Sequence, residues 1–88
     1  MQLEILTPQQ NVFSGEAKLI KVPGSKGSFE IMKNHAAIIS TLIDGELKVE
    51  TESGETLLYH TNGGVVEVKG NHVVVLLETI SEAKKTKK

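Results

Sequence analysis

The side chains able to do chemistry in this 88-residue chain are three histidines, eleven carboxylates and a few serines set beside glycine or lysine. A metal centre needs clustered nitrogen, oxygen or sulfur ligands. His35, His60 and His72 fall on separate stretches, with no two at ligand spacing, and His60 and His72 read as surface or strand-end residues. Nucleophilic catalysis needs a nucleophile with a base and an orienting acid. Ser14-Gly15-Glu16 and Ser25-Lys26-Gly27 supply serines, but no Gly-x-Ser-x-Gly elbow is present. Gly24-Ser25-Lys26-Gly27 is rich in glycine, yet it lacks the Gly-x-x-x-x-Gly-Lys-Ser/Thr phosphate cradle, and no long helical pattern follows to aim a dipole. It reads as a tight turn that uses glycine's conformational freedom. The carboxylates are spread along strand exteriors without forming a catalytic pair. The expectation is a domain with no catalytic activity by itself, no cofactor and no metal.

The elements that position these residues are strands. Glu46-Leu47-Lys48-Val49-Glu50-Thr51 alternates, placing Leu47 and Val49 on one face and charges on the other. Val66 and Val68 alternate with Glu67 and Lys69, and Leu3 and Ile5 share a face. Turn signals recur at Asp44-Gly45, Ser53-Gly54, Asn62-Gly63-Gly64 and Gly70-Asn71. Asp-Gly between apolar runs predicts a two-residue hairpin with positive φ at both positions. Strands are predicted over 1–6, 12–22, 28–31, 37–43, 46–52, 55–61, 64–69 and 72–80. Ser81–Lys88 has some helical propensity but no apolar stripe, and eight residues cannot hold a helix alone. The predicted fold is all-β, a flattened antiparallel β-sandwich, with residues 1–80 as the domain and 81–88 as a basic, solvated C-terminal tail.

A chain of this length buries only roughly 60–65% of its unfolded surface. Without cysteine, its stability must come from apolar packing and backbone pairing. No stretch approaches the roughly 18 apolar residues of a membrane-spanning helix. Met1-Gln2-Leu3-Glu4 lacks the basic start of a signal peptide, so a soluble protein of a reducing compartment is expected. The net charge of −1 is unevenly distributed. Lys84, Lys85, Lys87 and Lys88 are four of the ten lysines, leaving residues 1–83 with six lysines against eleven acids, a net of −5. Arginine is absent and the aromatics are Phe13, Phe29 and Tyr59. That composition argues against nucleic-acid binding, which needs a basic face with forks or stacking platforms. The lysine-rich end could add a weak attraction to an anionic membrane surface.

Two segments break the alternation. His72-Val73-Val74-Val75-Leu76-Leu77 and Ala36-Ala37-Ile38-Ile39 are apolar on both faces. One face of each can fill a core, while the other should be wet in a free-standing sandwich and therefore needs cover. Central strands or an overlying loop would supply that cover within the chain; a partner subunit would supply it from outside.

Two resemblances bear on function. Glu30-Ile31-Met32-Lys33 is similar to the Met-Lys hairpin of biotinyl carrier domains, in which an exposed lysine takes the cofactor. Here Asn34-His35 follows Lys33, no acidic-Ala-Met-Lys-Met string is present and the two matching halves of that fold are missing, so a carrier modified on Lys33 is the alternative reading. The second resemblance spans nearly the whole chain. Its residues are, in order, Leu3-x-Ile5-Leu6-Thr7-Pro8 and Val12-Phe13-Ser14-Gly15-Glu16-Ala17. Then come Gly24-x-x-Gly27-x-Phe29-x-Ile31 with Asn34-His35-Ala36, Gly45-x-Leu47, and Gly63-Gly64-x-x-Glu67-Val68 with Asn71-x-Val73. This ordered set resembles the N-terminal β-sandwich domain of the epsilon subunit of rotary, F-type ATP synthases.

The resemblance implies a sandwich of about ten short strands at the base of a central stalk. It would bind the gamma subunit on one side and rest on the c-ring, rotating with both while proton flow drives ATP synthesis elsewhere. Such a joint needs stiffness and broad surfaces, with no pocket for a small-molecule substrate. By carry-over, Lys26, Ser28, Glu30, Lys33 and His35 would face the c-ring, and Thr7, Ala37, Ile39 and Ser40 would face gamma. Asn34 and His35 could equally serve to shape the turn, since both tolerate unusual backbone angles. Three positions depart from the family pattern: Ala37 stands where proline is usual, Glu30 where glycine is common, and Asn62 where serine is common. The family's C-terminal helical pair has no counterpart among these 88 residues. They are accordingly expected to couple and assemble without helical braking or ATP binding. The start of the sequence suggests the cytoplasmic side of a bacterial inner membrane, peripherally attached within the complex.

Overall fold

Alternation of apolar and polar residues becomes nine strands in the computed structural model, which describes the backbone of residues 1–87 and the side chains of residues 1–82. They are β1 (Gln2–Leu6), β2 (Asn11–Val22), β3 (Phe29–Met32), β4 (Ile38–Leu42), β5 (Gly45–Thr51), β6 (Glu55–Thr61), β7 (Gly64–Lys69), β8 (His72–Leu77) and β9 (Ile80–Lys87). Among the described residues there is no helix.

The strands form two layers that share β2. Its first half pairs with β1, extending the order β4-β7-β8-β1-β2; its second half pairs with β3 on one side and β5 on the other, leading on to β6 and β9. Nine strands thus fill ten strand positions, in agreement with the sandwich of about ten expected. The pairing is antiparallel throughout except for β1 with β8, which are parallel, so the sheet is mixed rather than purely antiparallel. A sandwich closed this way measures 28 × 28 × 24 Å, only slightly flattened.

Passage of β2 from one layer to the other depends on a bulge between Ala17 and Leu19. One extra residue shifts the phase of alternation. Ala17 points into the core, and beyond the bulge Ile20 and Val22 do so, while Lys21 stays outside. The core they enter is aliphatic: Leu3 and Ile5, Leu47 and Val49, Val66 and Val68, and Val73, Val75 and Leu77, with Ile31, Leu42, Leu57 and Tyr59 closing its margins.

Two of the predicted turns behave differently from one another. Gly70 and Asn71, at φ 56° and 63°, join β7 to β8 as a two-residue hairpin, with Lys69 opposite His72. Asp44-Gly45 does not make the hairpin predicted for it. β4 pairs with β7 whereas β5 pairs with β2 and β6, and neither turn residue has positive φ, so the segment is a corner between layers. Gly45 is needed there for space: a Cβ would lie 2.7 Å from that of Pro23.

The segment predicted as one strand over 72–80 ends at Leu77, and the chain turns at Glu78 and Thr79 to begin β9. Thr61, fully buried, holds that turn by donating its hydroxyl to the Thr79 carbonyl at 2.7 Å. The backbone of 81–87 is therefore a strand against β6 and not a solvated tail, because the open edge of β6 supplies backbone partners that local propensity does not anticipate. The lysine side chains at 84, 85, 87 and 88 lie outside the described residues.

Candidate functional site

Strand alternation on the β4-β7-β8-β1 layer leaves a second apolar surface after the core is filled. Val73 and Val75 point inward, so Val74 and Leu76 point out. Register places Leu76 beside Val65 on one side and Leu6 on the other, with Thr41 beyond Val65. Ile39 is 71% exposed and Leu76 47%. The two-faced apolar character of 72–77 and 36–39 thus ends in an outer patch, with Ala36 and Ala37 exposed beside it. Leu6 and Val65 belong to this patch as well. The adjacent apolar pairs Ile5-Leu6 and Val65-Val66 were the signal for them, since one member of such a pair must point away from the core.

At one end of the patch Leu6, Thr7, Pro8, Val65, Leu76 and Glu78 surround a hollow of about 550 Å³. Its floor requires glycine at position 64. A Cβ there would run into the Leu76 carbonyl oxygen and lie 2.9 Å from Leu77 Cα.

The four residues assigned to the gamma side are only partly brought together. Ile39 lies on the outer face of β4, and Ala37 is exposed just before that strand. Thr7 sits at the hollow's rim, its backbone exchanging hydrogen bonds with that of Gln10. Ser40 pairs in register with the buried Val66 and faces the opposite way from Ile39. At the edge of β4 it nevertheless shares with Ile39 a second hollow, of about 560 Å³, lined also by Lys26, Ser28, Phe29 and Thr41.

The five residues assigned to the c-ring side flank β3. Lys26 and Ser28 precede it in a loop pinned to β4, where Gly24 bridges Leu42 and Ser25 Oγ lies 2.8 Å from Thr41 Oγ1. Gly24 leaves room for that loop: a Cβ would lie 2.7 Å from the Gly27 carbonyl oxygen and 2.8 Å from the Phe29 ring. Glu30 is exposed on β3, opposite in direction to the buried Ile31, and stands beside Lys21. Lys33 and His35 follow in the turn after Met32. Asn34 adopts φ 67°, which meets the expectation that it shapes the turn. The His35 ring is 6.5 Å from that of Phe29, and its Nδ1 is 2.8 Å from the Ala36 carbonyl oxygen. β3 therefore separates two groups of residues, Lys26 and Ser28 at its start, Lys33 and His35 at its end. Because β3 pairs with β2 and β4 with β7, Lys33 is not at the tip of a hairpin, the feature on which the carrier-domain reading rested.

Away from these loops, burial and, secondarily, the Glu82 carboxylate raise the Tyr59 phenol above its usual range. His60 Nε2 meets Asp44 Oδ1 at 3.0 Å on the exposed rim of the corner between layers.

The model of the ATP synthase delta/epsilon chain β-sandwich domain matches residues 1–83. The chain belongs to this family. Relatives named ATP synthase epsilon chain include that of Alkalilimnicola ehrlichii, 33% identical over 84 residues that cover 96% of this chain and 60% of that protein. The epsilon chain of Chlorobium limicola is 36% identical over 80 residues, covering 91% of each. This chain thus spans about three-fifths of the longer relative and nearly all of the shorter. Among solved structures, a chain of the Euglena gracilis mitochondrial ATP synthase, determined with OSCP, F1 and c-ring, superposes with a TM-score of 0.81 at 20% identity, over 91% of this chain and 51% of that one. That likeness concerns the fold: the two-layer arrangement is kept although four residues in five differ.

Proposed function

We propose that the chain is a central-stalk subunit of an F-type ATP synthase, a load-bearing joint between the gamma subunit and the c-ring that couples proton flow to ATP synthesis and does no catalysis itself. It would lie peripherally on the cytoplasmic side of a bacterial inner membrane, within the hetero-oligomeric complex. One observation supports the reading beyond family membership: on the outer face Leu6, Leu76 and Val65 stand side by side with Ile39 and Val74 nearby, broken by Glu67 and Glu4, although the core of this small domain is already filled. Such a face favours burial against a partner. Ile39, one of the residues carried over to the gamma side, belongs to this face, which supports the reading that it would meet gamma.

The test is reconstitution. F1 stripped of its epsilon subunit should bind this chain through gamma, and the pair should restore proton-coupled synthesis when returned to ring-containing membranes. Failure of the wild-type chain to co-elute with gamma would overturn the proposal.

A further inference from the structure

We propose that Asn62-Gly63 is a site of self-modification by deamidation, held shut in the folded chain by the hydroxyls of Thr61 and Thr79. Conversion there records an opening of the crossing between β6 and β7. The chemistry concerns this chain alone and is independent of what it docks to. Of the four asparagines only Asn62 precedes glycine; Asn11 precedes valine, and Asn34 and Asn71 precede histidine. Glycine has no side chain to hinder its own backbone nitrogen.

The reaction needs water alone. A base from water takes the Gly63 amide proton, and the nitrogen's electron pair forms a bond to Cγ of the Asn62 side chain. The Cγ–Nδ2 bond breaks, and its electron pair leaves on the nitrogen, which takes up a proton and departs as ammonia. Water then opens the resulting succinimide at either of its carbonyls, giving aspartate or isoaspartate. Overall a water is consumed and an ammonia released.

The folded turn restrains both reacting groups. Gly63 is buried, and its N–H donates to Thr61 Oγ1 at 3.2 Å. Its carbonyl accepts the Glu78 N–H, also at 3.2 Å. Asn62 is exposed to water, but its Oδ1 accepts the Thr79 hydroxyl at 2.8 Å, which tethers the side chain to the turn before β9. Thr61 in turn donates to the Thr79 carbonyl at 2.7 Å, so the two threonines form a single lock across two turns. It opens when Glu78-Thr79 and the start of β9 draw away from β6. After reaction it no longer closes, because isoaspartate routes the main chain through its side-chain carbon and lengthens it by a methylene. Gly63 has no slack for that length: even a Cβ there would lie 3.0 Å from the Leu42 carbonyl oxygen.

The test incubates the full chain in warm, mildly alkaline buffer, folded or unfolded in urea, and follows residue 62 by peptide mass mapping and isoaspartate assay. Unfolded chain should convert at Asn62 ahead of Asn11, Asn34 and Asn71. Folded chain should convert at least about tenfold more slowly, because only transiently opened molecules react. T79V removes the hydroxyl from an exposed side chain and should leave the melting temperature unchanged. It should speed conversion of the folded chain about threefold, the scale of one net hydrogen bond, and match the wild type in urea. T79S, which keeps the hydroxyl, should convert at the wild-type rate. Isoaspartate-containing chain, separated by its added negative charge, should melt below the unmodified protein. Equal rates in folded and unfolded chain, or no acceleration in T79V, would overturn the lock. Unfolded chain that stays intact at Asn62 would overturn the site itself, and unchanged melting after conversion would overturn its role as a record of opening.

Discussion

At the scale of single residues, space and burial decide more than charge. Gly64 has no room for a methyl group, because the neighbours are the backbone of Leu76 and Leu77, which cannot turn aside as a flexible side chain could. Gly64→Ala should therefore destabilise by about 3 kcal/mol, the upper part of the usual overpacking range. Gly54→Ala, in open space at φ 97°, should cost only about 1–2 kcal/mol of backbone strain. Urea midpoints of the two variants test this order. Tyr59 provides a pH dependence. Its folded pKa is raised above the unfolded value, so the stability it contributes is complete below about pH 10 and is lost as pH rises through the folded value. Tyr59→Phe should flatten the alkaline fall in melting temperature while leaving the neutral range little changed. An identical alkaline limb in both proteins would contradict that assignment.

At the scale of elements, strands were legible in the residues wherever the alternation was local. Leu47 with Val49, Val66 with Val68 and Leu3 with Ile5 point inward as their spacing predicts, and Gly70-Asn71 turns as its residue types require. Features that depend on distant partners were not. Asp44-Gly45 carries the composition of a hairpin, but the strands on either side find partners in different layers. Parallel pairing of β1 with β8 joins segments some 70 residues apart and leaves no local pattern. β9 was missed because its lysine-rich residues lack strand propensity, while the edge of β6 that pairs with them is visible only in three dimensions. Removing residues 80–88 should expose that edge and create a site for strand addition. The truncated chain should melt at lower temperature and self-associate in size-exclusion chromatography; an unchanged melting temperature and a monomeric profile would show β9 to be dispensable.

At the scale of the whole molecule, the candidate surfaces were legible in part. Ile39 reached the outer face because consecutive apolar residues in a strand cannot all face one core, and Ala37 is exposed just before that strand. Ser40 turned inward by the same alternation, and Thr7 fell at the rim because β1 ends at Leu6. What emerges is a stiff two-layer domain with an apolar flank on one layer. In a rotor, that flank would grip its neighbour. Load can pass between neighbours through such a domain without any moving part inside it.

The most direct measurement of that account is the affinity of gamma for the wild-type chain and for a Val74→Thr, Leu76→Lys double variant, which adds no carboxylate between Glu4 and Glu67. Because both side chains point outward, the variant should fold with a melting temperature close to that of the wild type, yet bind gamma at least about tenfold more weakly. Equal affinities, with the fold intact, would mean that the apolar flank does not hold the stalk.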